Sequence, residues 1–156
     1  MSRYKFSPAN IYNLDETGNS SFHAPPKLIA LKGVKQLGSM TYGERGINVT
    51  LIAAVNAIGN HVPPMLIFLR VFFKDHMLQG APPGSIGGAN LSGWSNEKLF
   101  LHYLQYFIAR VKPREQEKVL LILDNHESHI AVSVIDLAKE NNIVLLTLPP
   151  RTSHRT

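Results

Sequence analysis

Two aspartates stand where an apolar stretch turns polar. Asp15 closes the run Asn10-Ile11-Tyr12-Asn13-Leu14-Asp15, and Asp124 follows the five aliphatic residues Val119–Leu123. Carboxylates brought close together repel, and one is driven to hold its proton unless a cation lies between them. Hard oxygen donors without thiolates favour Mg²⁺ or Mn²⁺. Such ions activate water and stabilise a leaving oxygen in phosphoryl transfer. The same residue types also cap turns, since an Asp at a strand end bonds backbone N–H groups before a following helix. Residue type alone leaves both readings open for Asp124.

The segment after it, Asn125-His126-Glu127-Ser128-His129, is polar throughout. It is not the zinc-protease pattern H-E-x-x-H, because position 130 is Ile. Histidines three apart at a helix start read instead as hydrogen-bonding supports. Glu16 adjoins Asp15, but on an extended strand it points to the other side and is a weaker ligand candidate. No Walker-type phosphate loop and no Gly-x-Ser-x-Gly elbow is present.

These residues need elements to position them. Asn10 to Asp15 reads as a short strand, with Thr17-Gly18 turning the chain. Residues 49–56 and 61–69 are β-rich runs joined across Ile58-Gly59-Asn60, a hairpin signal. Pro63-Pro64 removes two ladder donors and assigns the second arm to a sheet edge. Residues 76–94, rich in Gly and Pro, read as a loop. A helix follows, capped by Asn96 or Ser95, with a stripe of Leu99, Phe100, Tyr103, Leu104, Phe107 and Ile108 and a stop at Pro113. Trp94 reads as a packing anchor at its start. The continuous apolar run 119–123 predicts a strand buried on both faces. A helix over 129–140, a left-handed cap at Asn141-Asn142 and a buried strand over 143–148 come next. Strand, helix, strand makes a parallel crossover. The fold class is α/β, a mixed sheet with helices packed on it, in one domain over 1–156. In such sheets ligands sit beyond the carboxyl ends of strands, where both aspartates lie.

The chain has 156 residues, no cysteine and a net charge of +5. Disulfides and thiolate metal sites are therefore excluded. No apolar window reaches a membrane span and no secretory signal opens the chain, so it reads as an intracellular protein with no membrane partner. The charge is unevenly spread. No acid lies between Thr17 and Gly43, a stretch with Lys27, Lys32 and Lys35, and none follows Glu140, where Arg151 and Arg155 lie. These five are the candidate phosphate contacts.

Six motifs in order, "NIYNLDETG", "VPPMLIF", "GAPPGSIG", "SGW", "LLILDNHESH" and "LLTLPPRTSH", resemble the DDE-type transposase and endonuclease catalytic domain. The likeness is greatest to the pogo/Tigger/jerky-like group related to mariner elements, and it runs from about Asn10 to Arg155. It implies a ribonuclease H-like fold with the first and fourth strands side by side, and Mg²⁺- or Mn²⁺-dependent phosphoryl transfer on DNA in the nucleus. Asp15 matches the first catalytic, metal-holding carboxylate and Asp124 the second, with Asn125, His126, Ser128 and His129 as supports around them. Partners implied are DNA and, in self-association, a second copy. The family pattern continues past Pro-Pro-x-Thr-Ser-His into Gln-Pro-Leu-Asp, which brings a third carboxylate. The sequence stops at Thr156, where Leu is usual, and Arg151 replaces a common His. The expectation is thus a domain lacking its C-terminal part and any N-terminal helix-turn-helix region, with impaired cleavage. The alternative is a domesticated or decayed module that binds DNA or protein without catalysis.

Overall fold

The computed structural model describes residues 5–20 and 48–149. Its centre is one six-stranded sheet. Strands β1 (Ile11–Ser20), β2 (Asn48–Asn56), β3 (His61–Leu69), β4 (Ile86–Asn90), β5 (Val119–Leu123) and β6 (Ile143–Thr147) lie in the order β4-β3-β2-β1-β5-β6. β1–β2 and β2–β3 are antiparallel, while β3–β4, β1–β5 and β5–β6 are parallel. Helix α1 (Glu97–Val111) connects β4 to β5, and α2 (Val132–Glu140) connects β5 to β6.

The hairpin forms where expected. The Asn56 side chain accepts hydrogen bonds from the N–H groups of Ile58 (3.3 Å) and Asn60 (2.8 Å) and so closes the turn. Helix α1 starts at the expected cap, Asn96, whose side chain accepts from Leu99 N–H at 3.0 Å. It ends on Lys112 in the left-handed region just before Pro113. Asn142, with φ 59°, ends the α2 segment as its type allows.

One sheet face carries the core. Period-two alternation puts Tyr12 and Leu14 of β1, Ile52 and Ala54 of β2, Met65 and Ile67 of β3, and Val119, Leu121 and Leu123 of β5 on that face, all buried. Phe100, Tyr103, Leu104 and Phe107 of α1 and Val134 and Ala138 of α2 complete the cluster. Tyr12 meets Phe107 edge-on, with ring centroids 5.0 Å apart.

Six expectations are corrected. β1 does not stop at Asp15 and turn at Thr17-Gly18: its antiparallel pairing with β2 continues to Ser20↔Asn48. What ends near Asp15 is the parallel pairing with β5. Residues 76–94 are not all loop, because β4 lies within them. Its glycines allow close approach, since a Cβ on Gly88 would lie 2.6 Å from a Leu99 methyl and 2.8 Å from Met65 Cε. β4 also places β3 inside the sheet. Pro63 and Pro64 are tolerated there because the β2 register shifts between Ile52 and Ala54, and β4 pairing begins only at Met65. Finally, β5 alternates between buried and half-buried positions instead of being fully buried on both faces. β6 ends at Thr147 and buries only Ile143, leaving Leu146 and Thr147 exposed, and α2 starts at Val132 after a 3-10 turn over Glu127–His129.

Candidate functional site

The sheet register sets β1, which carries Asp15, beside β5, which Asp124 follows. Parallel pairing runs Ile11↔Leu120, Tyr12↔Leu121, Asn13↔Ile122. The ladder ends there, two residues before Asp15 on β1 and two before Asp124, which follows the last residue of β5. Asp15 lies on the face opposite the core, since Tyr12 and Leu14 point inward, while the Asp124 carboxylate reaches back to the His129 ring. Asp15 is exposed, and its Oδ1 accepts the Glu16 N–H at 2.8 Å. The Asp124 side chain is 46% exposed. Its Oδ1 accepts the His126 N–H at 3.2 Å, so it does cap the turn that follows. Capping and a place at the strand end coexist in the same side chain.

Behind them lies a histidine with two acidic neighbours. The His129 side chain is 2% exposed, and its ring lies 4.2 Å, centroid to centroid, from Phe100 of α1. Nε2 is 3.2 Å from Oε1 of Glu16. Nδ1 is 2.7 Å from Oδ1 of Asp124 but off the line of a hydrogen bond, so this contact is electrostatic and Nδ1 has no hydrogen-bond partner. Burial pushes the His129 pKa down. The hydrogen bond and charge of Glu16, joined by Asp124, outweigh burial and hold it above 6.5.

Sequence reasoning set Glu16 aside because it faces away from Asp15. It does, and that orientation is why it matters: it shares the inward face with Tyr12 and Leu14. A carboxylate there requires a partner, and the inward parity was the signal available in the sequence.

The remaining supports form a compact turn. Nδ1 of His126 lies 2.8 Å from Ser128 Oγ, and Ser128 is buried. Asn125 is exposed. Trp94 is no buried anchor: it is 56% exposed, with its ring over Gly18 of β1. Its loop is held to the sheet by Thr50 Oγ1, which donates to Gly93 O at 2.7 Å. Lys27, Lys32, Lys35, Arg151 and Arg155 lie outside the described residues.

The donor set suits a magnesium-type ion, which uses one or two carboxylates and keeps several waters. Asp15 and Asp124 supply two hard oxygen donors. Among the described residues no group of three His, Asp or Glu side chains converges as a ligand cluster. Both His129 nitrogens face carboxylates, so that ring is a support rather than a ligand.

The sequence profile described as "DDE superfamily endonuclease" matches residues 48–156. The fold matches a Mos1 transposase paired-end complex with left transposon end, with TM-score 0.51 and 18% identity over 95% of this chain and 37% of that one. A Mos1 mariner paired-end complex with Mn gives TM-score 0.51 and 18% identity over 94% and 38%. This likeness and the mixed sheet with β5 beside β1 make the fold ribonuclease H-like. The strand expected fourth is fifth in order because β4 precedes it. Among curated proteins, one named MFS-type transporter clz9, from Cochliobolus lunatus, is 28% identical over 97% of this chain. The chain spans 17% of that protein's length. No helix of the described residues is long and apolar enough to cross a membrane.

Proposed function

The chain belongs to the DDE superfamily endonuclease family, and from that premise we propose that it is a transposase-type catalytic domain of the pogo/Tigger/jerky-like group. In this reading it binds DNA and performs phosphoryl transfer that depends on Mg²⁺ or Mn²⁺. The observation that carries the proposal is the parallel pairing of β1 with β5, which sets the segment bearing Asp15 beside the end of the strand that Asp124 follows. Asp15 and Asp124 would hold the cation, which when bound polarises the phosphoryl group and lowers the pKa of a coordinated water. The chain's own part is positional. The paired strands bring the two segments side by side, and the turn 126–129 holds Asp124 from behind.

Support also comes from solved relatives of this fold, which include a complex with a transposon end and one with Mn. A nuclear location and self-association belong to the same proposal.

The test is nicking of supercoiled plasmid by the purified chain with Mn²⁺. Nicking that is abolished by chelator, by Asp15→Ala and by Asp124→Ala supports the reading. Salt-sensitive DNA binding that ignores chelator and both substitutions, with no nicking, would favour a binding module that has lost catalysis.

A further inference from the structure

Backbone pairing between β1 and β5 ends at Asn13 and Ile122. Beyond that point no ladder bond fixes the spacing of the two strand ends, yet both aspartates lie there. The bridge that spans the gap is a side chain. The His129 ring reaches Glu16 of β1 through Nε2 at 3.2 Å, and Asp124 after β5 through Nδ1 at 2.7 Å. We propose that Glu16 is a positioning residue for the cation site: it fixes the His129 ring, and through that ring sets where the Asp124 carboxylate stands. The inference rests on the reading of Asp15 and Asp124 as cation ligands, and adds a residue which that reading leaves out.

Three observations carry it. Glu16 projects from the core face, opposite Asp15, and its side chain is 16% exposed. A ligand role beside Asp15 would need the other face, whereas a partner role to a buried ring needs this one. The ring has little freedom, being 2% exposed and packed against Phe100. Asp124, by contrast, is nearly half exposed, and its other restraint is one bond at 3.2 Å from the His126 N–H. A carboxylate so placed samples several rotamers unless something holds it. Partners that orient ligands typically change metal affinity by about 10- to 100-fold when removed.

The experiment is calorimetric titration of the 156-residue chain with Mn²⁺ alone. Wild type is compared with Glu16→Ala, Glu16→Gln, His129→Ala, Asp124→Ala and the double variant Glu16→Ala/His129→Ala, each confirmed folded by circular dichroism. Glu16→Ala is expected to weaken Mn²⁺ binding about threefold to fivefold, less than loss of a direct partner of the ligand, because it acts through the His129–Asp124 contact. The double variant should bind no more weakly than His129→Ala, because Glu16 reaches Asp124 only through the ring. Glu16→Gln, which keeps the acceptor oxygen, should recover part of the loss. In ¹⁵N spectra of the metal-free protein, Glu16→Ala should shift the His129 ring nitrogens while Asp15→Ala leaves them in place. Full multiplication of the two single losses would make Glu16 an independent ligand and overturn the proposal. Unchanged affinity in a folded Glu16→Ala would overturn it too. If wild type and Asp124→Ala alike bind no Mn²⁺, the cation reading itself has failed and the inference falls with it.

Discussion

His129→Phe separates the polar work of the buried imidazole from its packing. A phenyl ring fills nearly the same space and keeps the contact with Phe100, an aromatic pair of about 0.5–1.5 kcal/mol. What disappears is the bond to Glu16, a charge-assisted hydrogen bond of about 1.5–3 kcal/mol in a mostly buried place. The Asp124 contact adds little, about 0–1 kcal/mol, because that carboxylate is nearly half exposed and off the hydrogen-bond line. The substitution should therefore cost about 2–3 kcal/mol near pH 6, a large share of a domain's usual about 5–15. The cost has a pH signature. A histidine pKa held above 6.5 in the folded chain contributes stability that is complete below 6.5 and is lost as pH rises through the folded-state value. The gap between wild type and variant is thus widest near pH 6 and narrows toward about pH 9. Urea unfolding at both pH values, read as midpoint shifts at constant slope, measures it. A cost below about 1 kcal/mol near pH 6, or a gap indifferent to pH, would refute the bridged-imidazole account.

Two further substitutions probe the scaffold. Asn96→Ala removes the side-chain cap of α1 and should destabilise by about 1 kcal/mol in thermal unfolding; no change would mean that Glu97 and the helix dipole suffice to start the helix. Burial, then the neighbouring Tyr106, push the Tyr103 pKa far up against the pull of the Ala54 backbone, with which the buried hydroxyl makes no well-aligned hydrogen bond. Tyr103→Phe should then be neutral or stabilising by up to about 1 kcal/mol in urea, whereas a loss of that size would reveal a satisfied hydroxyl.

The elements with one clear period were legible. The α1 stripe, its Asn96 cap and the 58–60 turn announce themselves in residue type, and the apolar runs at 119–123 and 143–147 mark strands. Their unbroken apolarity overstates burial, since alternate residues of β5 are half-buried and Leu146 of β6 is exposed. Strand adjacency was less legible. Pro63-Pro64 suggested an edge, but a register shift in β2 absorbs the missing donors, and a shift depends on the partner strand. Gly87 and Gly88 suggested a loop, yet they make room for Phe73, Leu99 and Met65, which approach from elsewhere in the sequence. Asp15 and Asp124 could be named from their place after apolar runs. The role of Glu16 could not, because its partner lies more than a hundred residues away and on the face the ligand argument ignored.

The central claim is that Asp15 and Asp124 jointly hold a divalent cation at the β1–β5 edge, and its most direct test is a crystal of the chain soaked in Mn²⁺ and measured at the manganese absorption edge. The account expects one anomalous peak within bonding distance of both carboxylates, at about 2.0–2.3 Å, with Glu16 and His129 still paired behind it. A peak liganded by His129 or Glu16 in place of either aspartate would contradict the account. So would an empty edge in a crystal whose protein binds Mn²⁺ in solution.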